Sequence, residues 1–167
     1  VEQENVDKEF YRLDAGFTPE AQSNYPIVRL PRWKAHVRKR PEEAKVLYQY
    51  ILDNRPGSAN FEYCLIDTAE IQAQSDDPGE RAAAMEKFQQ VLAEIPSEEL
   101  QEKAVLGMGR IKTKEGDYAA SQPIWEQYLA NAGWRLSRPE ANFRLAECFG
   151  KSGNTSDALK VYVSIYA

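Results

Sequence analysis

Apolar residues recur along this chain at helical spacing, and a small residue stands four places before an aromatic at Ala44/Tyr48, Ala84/Phe88, Ser121/Trp125 and Ala158/Tyr162. The aromatics follow one another at intervals of 40, 37 and 37 residues. Stacked helical hairpins produce a period of this size, because each unit is too small to bury its own apolar face and leans on its neighbours. The pattern therefore predicts an all-α chain of about three and a half helix-turn-helix units.

The last unit reads most plainly. Ser137, Pro139 and Glu140 form an N-terminal cap with proline in the first turn, and Phe143, Leu145, Ala146 and Phe149 follow at helical spacing. Gly153 and Asn154 are suited to the left-handed turn that ends this helix. Thr155 or Ser156 is the expected cap of the next, whose buried stripe is Ala158, Leu159, Tyr162 and Ile165.

The preceding unit repeats this order: Val105, Met108, Gly109 and Ile111, a break at Gly116-Asp117, then Ser121, Ile124, Trp125, Tyr128 and Leu129. Gly109 to Ser121 and Ala146 to Ala158 are each twelve residues, as one turn between helices of constant length requires. A third unit, 60–96, carries Leu65, Ala69, Ala84, Phe88 and Val91, but Ala69 to Ala84 is fifteen residues. The three extra residues fall at 75–79, where Asp77, Pro78 and Glu80 signal a capped helix start. Calcium is a poor explanation of Asp76, Asp77 and Glu80, whose spacing fits no calcium loop. Upstream, Glu42 to Asn54 reads as a second helix with Ala44, Tyr48 and Ile51 inward, closed by Pro56 and Gly57. Pro26, Pro31 and Pro41 cut the segment before it, leaving short helices near 7–13 and 31–40. Two parts result: an irregular cap or docking segment, 1–41, and a repeat region, 42–167, expected to continue past Ala167.

Residues 42–167 resemble the tetratricopeptide repeat family, on the strength of Ala44/Tyr48/Pro56, Leu65/Ala69/Ala84/Phe88/Pro96, Gly109/Gly116/Ser121/Trp125 and Leu145/Ala146/Phe149/Ala158/Tyr162. The chain departs from that family at Gln72 and Lys112, where an aromatic is usual, at Gly133, where proline is usual, and in the long 130–139 connection. The resemblance implies a right-handed superhelical solenoid of antiparallel hairpins that holds a partner peptide, helix or subunit in a concave groove lined by first helices. Residues four and seven apart on the faces away from the apolar stripe would line it. They are Tyr63, Glu70 and Gln74; Lys103, Arg110 and Lys114; and Glu140, Glu147 and Lys151. The middle row is wholly basic, which favours an acidic peptide or a terminal carboxylate, against the simpler reading of a solvated helical face. The asparagines of the family's carboxylate-clamp members are absent from these faces.

Charge adds a second candidate surface. Between Arg29 and Arg40 six residues are basic (Arg29, Arg32, Lys34, Arg38, Lys39, Arg40) and none is acidic; with the chain at −5 overall, the remainder carries −11. Trp33 and His36 lie among them. This patch suits anionic lipid, nucleic acid, a neighbouring chain or the acidic N-terminal residues Glu2, Glu4, Asp7 and Glu9. Two alternatives to a scaffold follow from it: a structural or spacer subunit of an envelope-associated or multiprotein assembly, and a nucleic-acid-associated repeat protein. The acidic overall balance weighs against the latter.

Candidate chemistry is sparse. One histidine excludes a two-histidine zinc site, and there is no Cys-x-x-Cys, phosphate-binding loop or dinucleotide fingerprint. The sequence predicts a non-enzymatic chain needing no cofactor and no metal. Cys64 and Cys148 fall in first helices two units apart and are expected to be free, buried thiols. Asn154-Thr155-Ser156 fits a glycosylation pattern but is better explained by capping. No stretch is apolar enough to span a membrane, although peripheral contact through the basic patch stays open. So does the compartment, cytoplasmic or periplasmic and envelope-associated.

Overall fold

The structure, a computed structural model, describes residues 41–54 and 61–166, the side chains of the last two excepted. The expected helices near 7–13 and 31–40, the basic cluster and the closing Pro56-Gly57 lie outside these residues. The described residues form helices and turns only: α1 (Pro41–Asn54), α2 (Phe61–Gln74), α3 (Pro78–Glu94), α4 (Glu98–Lys114), α5 (Tyr118–Ala130), α6 (Arg138–Lys151) and α7 (Thr155–Tyr166). The chain divides into two compact units, Val1–Ile71 and Gln72–Ala167.

In the first unit, Ala44, Leu47, Tyr48 and Ile51 recur every three or four residues, so α1 buries one continuous stripe, which clusters with Cys64. Burying Tyr48 demands a partner for its hydroxyl. Asp67 supplies it, accepting at 2.9 Å.

In the second unit, sequence neighbours pack in turn, α3 on α4, α4 on α5, α5 on α6 and α6 on α7, and α4 also touches α6. The turns follow from their residues. Asp77 Oδ1 accepts from the Gly79 amide at 2.8 Å with Pro78 opening α3, and Asp117 Oδ1 accepts from the Ala120 amide at 3.1 Å to start α5. Gly116 (φ 74°) and Gly153 (φ 82°) take the left-handed conformation just past α4 and α6, where a Cβ would be strained. The extra residues at 75–79 are pinned by Arg81, whose guanidinium donates to the Ser75 and Asp76 carbonyls at 3.1 and 2.8 Å.

The small-then-aromatic pairs set the helix spacing. A Cβ built on Gly107 would stand 2.2 Å from Phe88 Cζ, and one on Gly109 would stand 2.7 Å from Trp125 Cζ2. Glycine thus lets each ring lie flush on α4, where buried Ala84 and Ser121 keep α3 and α5 close.

Three expectations need correction. Leu159, expected in the buried stripe of α7, is 63% exposed, because it is rotated by about 100° from Ala158 and out of the inward face. Phe143, expected inward, is 49% exposed: the Tyr162 ring of α7 meets it edge to face at 5.9 Å and covers only part of it. The cap of α7 is Asn154 rather than Thr155 or Ser156: its side-chain oxygen accepts from the Asp157 amide at 3.3 Å, and its amide nitrogen donates to the Asp157 carboxylate at 2.7 Å.

Candidate functional site

Helix α4 lies at the centre of the second unit, packed on α3 and α5 and touching α6. Lys103, Arg110 and Lys114 all project from it. Each has an acidic partner within the chain. Lys103 Nζ pairs with Glu99 one turn earlier, 2.9 Å away. Arg110 reaches across to α6 and holds Glu140 with two parallel N–H···O bonds, the Nε bond measuring 2.8 Å. This fork geometry fixes orientation as well as charge. Lys114 donates to the Gln74 and Ser75 carbonyls at 2.8 and 3.1 Å and pairs with Asp76 at 2.8 Å.

The neutralisation is visible in the acids. The Arg110 hydrogen bond holds the Glu140 carboxyl below its ordinary value, and Ser137 Oγ, donating at 2.8 Å, adds to the effect. The Lys114 hydrogen bond lowers Asp76 in the same way, and that of Lys112 lowers Glu115.

Of the nine expected groove residues, the structure joins Arg110 to Glu140 and Lys114 to the Gln74 backbone. Glu147, half-buried, takes an internal hydrogen bond from Arg144 at 2.9 Å, while Lys151 is exposed with no ion pair among the described residues. Tyr63 and Glu70 lie half-buried on α2 in the first unit, and Gln74 is exposed at the end of that helix. Arg29, Arg32, Lys34, Arg38, Lys39 and Arg40 fall outside the described residues.

Two polar networks escaped the sequence reading. Glu102, 7% exposed inside α4, accepts from the Tyr128 hydroxyl and from the Leu136 amide, each at 2.6 Å. Ser137 donates its amide to the Tyr128 oxygen at 2.9 Å, and the Trp134 ring packs 5.7 Å from that of Tyr128. Arg138 closes the loop, donating to the Asn131, Trp134 and Leu129 carbonyls at 3.0, 3.2 and 2.9 Å. The unusual 130–139 connection is therefore tied down at both ends. Burial, reinforced by the Glu102 hydrogen bond, pushes the Tyr128 hydroxyl up to about 12, so it remains a donor at neutral pH. A signal existed: Glu102 precedes Val105 by three places and Gly109 by seven, which sets a carboxylate on the packed face of α4.

The second network lies between α4 and α5. Thr113 Oγ1 lies 2.7 Å from Ser121 Oγ and donates to the Gly109 carbonyl at 2.9 Å, and Trp125 Nε1 donates to Thr113 Oγ1 at 3.1 Å. It satisfies the indole of the fully buried Trp125. Cys64 and Cys148 are both buried and form no disulfide, and burial raises the Cys148 thiol above its ordinary value.

Among the described residues no three His, Cys, Asp or Glu side chains stand together as a metal site, and no helix is long and apolar enough to cross a membrane. Compared with known proteins, the chain matches no family model, no curated protein and no solved structure.

Proposed function

We propose that this chain is a non-catalytic scaffold, a solenoid of tetratricopeptide-like hairpins that holds a protein partner along the exposed face of its first helices. The observation that carries the reading is the forked Arg110–Glu140 bond between α4 and α6. It fixes a polar surface in advance, so a partner docking there meets side chains that have already lost their freedom. The buried polar groups described above serve packing, and the basic row of α4 is paired with Glu99, Glu140 and Asp76, which is the economy of a surface and not of a reaction centre.

The pairing also bears on the partner. Lys103, Arg110 and Lys114 are opposed by Glu99, Glu140 and Asp76, so the row does not act as three unopposed positive charges. A partner of low or mixed charge, contacting Gln74, Glu147 and Lys151 along with the Arg110–Glu140 pair, fits this surface better than a strongly acidic tail.

The test compares capture of a native partner by the full-length protein with capture by two variants. One carries Gln74→Ala and Lys151→Ala, exposed positions whose loss leaves packing intact. The other carries Arg38→Ala, Lys39→Ala and Arg40→Ala. Loss of binding by at least tenfold in the first supports the groove reading. Full binding in the first with loss in the second favours the spacer subunit instead.

A further inference from the structure

The connections 75–77, 95–97, 115–117 and 152–154 are each three residues long, whereas the one between α5 and α6, 131–137, has seven. Three residues thus suffice elsewhere in this chain to turn one helix back on the next. Ordering four more costs conformational entropy, so the longer loop needs contacts of its own to hold one shape.

It is held along most of its length. The amides of Gly133, Trp134, Leu136 and Ser137 donate to Asn131 Oδ1, the Asn131 carbonyl, Glu102 and the Tyr128 oxygen at 3.0, 3.3, 2.6 and 2.9 Å. Arg138 gathers the Leu129, Asn131 and Trp134 carbonyls, and the Trp134 ring is buried beside that of Tyr128. Glu102, Tyr128, Trp134 and Arg138 all serve this one loop. Loops positioned by a rigid frame are where recognition surfaces concentrate.

What the frame presents is two adjacent exposed side chains, Arg135 and Leu136, the latter 56% exposed. Arg81, Arg110, Arg138 and Arg144 are each hydrogen-bonded within the chain. Arg135, the fifth arginine of the described residues, has no hydrogen bond or ion pair among them. The carboxylates bonded to the loop are already engaged: Glu102 accepts from Tyr128, and Glu140, which Ser137 meets, is held by Arg110. The loop therefore carries an unopposed positive charge beside an uncovered leucine.

That combination selects the partner's chemistry. A guanidinium with its donors open takes a carboxylate in a fork of two bonds, as Arg110 takes Glu140 within this chain. A basic segment would be repelled, and a wholly apolar one would cover the guanidinium without matching it. Because the loop backbone is already fixed, covering Leu136 loses little further freedom.

We propose that the 131–137 loop docks a short acidic segment of another protein, Arg135 receiving a carboxylate and Leu136 being covered by a large apolar side chain adjacent to it in the partner. This contact uses neither Gln74 nor Lys151, so it is independent of the face assigned above.

A library of random peptides displayed on phage, panned in parallel on the full-length protein and on Arg135→Ala/Leu136→Ser, tests it. Both side chains are exposed, and unchanged helical circular dichroism verifies the fold of the variant. The expected result is a set of peptides retained by the wild type alone, with Asp or Glu next to a large apolar residue. Made synthetically, these should bind at least tenfold more weakly to Arg135→Glu and to Leu136→Ser. Tyr128→Phe, which loosens the loop and leaves its outer surface intact, should weaken them too. Identical selections on the two proteins overturn the proposal, as do wild-type-specific peptides that lack a carboxylate. Full affinity for Tyr128→Phe overturns the loop's role as a preformed surface. Peptides that depend on Gln74 and Lys151 instead overturn it while leaving the groove reading in place.

Discussion

Gly107 faces the Phe88 ring so closely that a Cβ on it would stand 2.2 Å from Cζ and 2.4 Å from Cε2. Phe88 is fully buried and has no room to retreat, so the pair acts as a gauge for the separation of α3 and α4. Gly107→Ala gains about 1 kcal/mol of helix propensity but forces the ring or the helix to shift, and a net loss of about 1–3 kcal/mol is expected in urea denaturation. Gly150→Ala is the matched control: its Cβ would meet Ala158 Cβ at an ordinary 4.0 Å. That change should be neutral or stabilising by up to about 1 kcal/mol. Equal losses from both substitutions would mean that the Phe88 contact does not set the spacing.

The Tyr128 hydroxyl is the hinge pin of the 130–139 loop, donating to Glu102 and accepting from the Ser137 amide. Tyr128→Phe keeps the ring against Trp134 but leaves that amide and one bond of a buried carboxylate unmet. A loss of about 1–3 kcal/mol follows. Amide exchange locates it: Ser137 should exchange faster while Val105 in the middle of α4 is unchanged. Glu102→Gln, which retains an acceptor oxygen for Tyr128 and Leu136, should cost less than Glu102→Leu.

How much of this was readable in advance depended on range along the chain. The stripe Ala44, Leu47, Tyr48 and Ile51 and the cap at Asp77 are local, so periodicity and residue chemistry define them. Glu102 with Tyr128 and Arg110 with Glu140 are 26 and 30 residues apart, and nothing in the spacing of either residue names its partner. The basic row on α4 was legible as a face; the Lys103–Glu99 pair is local to the helix, but the neutralisation of Arg110 and Lys114 depended on where α6 and the 75–77 turn came to lie. Leu159 and Phe143 failed differently: apolar character is written in the sequence, but what covers an apolar residue is decided by neighbouring helices.

Cys148 lies buried against α5, and its thiol is raised first by burial, so both its access and its reactivity as a thiolate are low in the folded chain. In native buffer an aromatic disulfide reagent should label Cys64 and Cys148 far more slowly than it labels the chain in ~6 M guanidinium, where both should react at the rate of a free thiol. Rapid native labelling of Cys148 would indicate that α6 opens readily. The rate should rise with Tyr128→Phe if the loop before α6 restrains it.

The bond between Arg110 and Glu140 provides a measurable pH signature. Its partners are 48% and 27% exposed at the side chain, so a double-mutant cycle with Arg110→Ala and Glu140→Ala should return no more than about 1 kcal/mol of coupling, falling as salt is added. Glu140 has a carboxyl lowered from 4.5 in the folded chain, so the unfolded chain binds its proton first as acid is added. The contribution of the pair is therefore fully present above about 4.5 and is lost as pH falls below that value through the lowered folded one. Wild-type protein should lose more stability between pH 5 and ~3 than Arg110→Gln does, once the other lowered carboxyls, Asp76, Glu115 and Asp157, are held in common. Parallel pH profiles for the two proteins would mean that the fork carries no folding energy and serves only to orient the surface it spans.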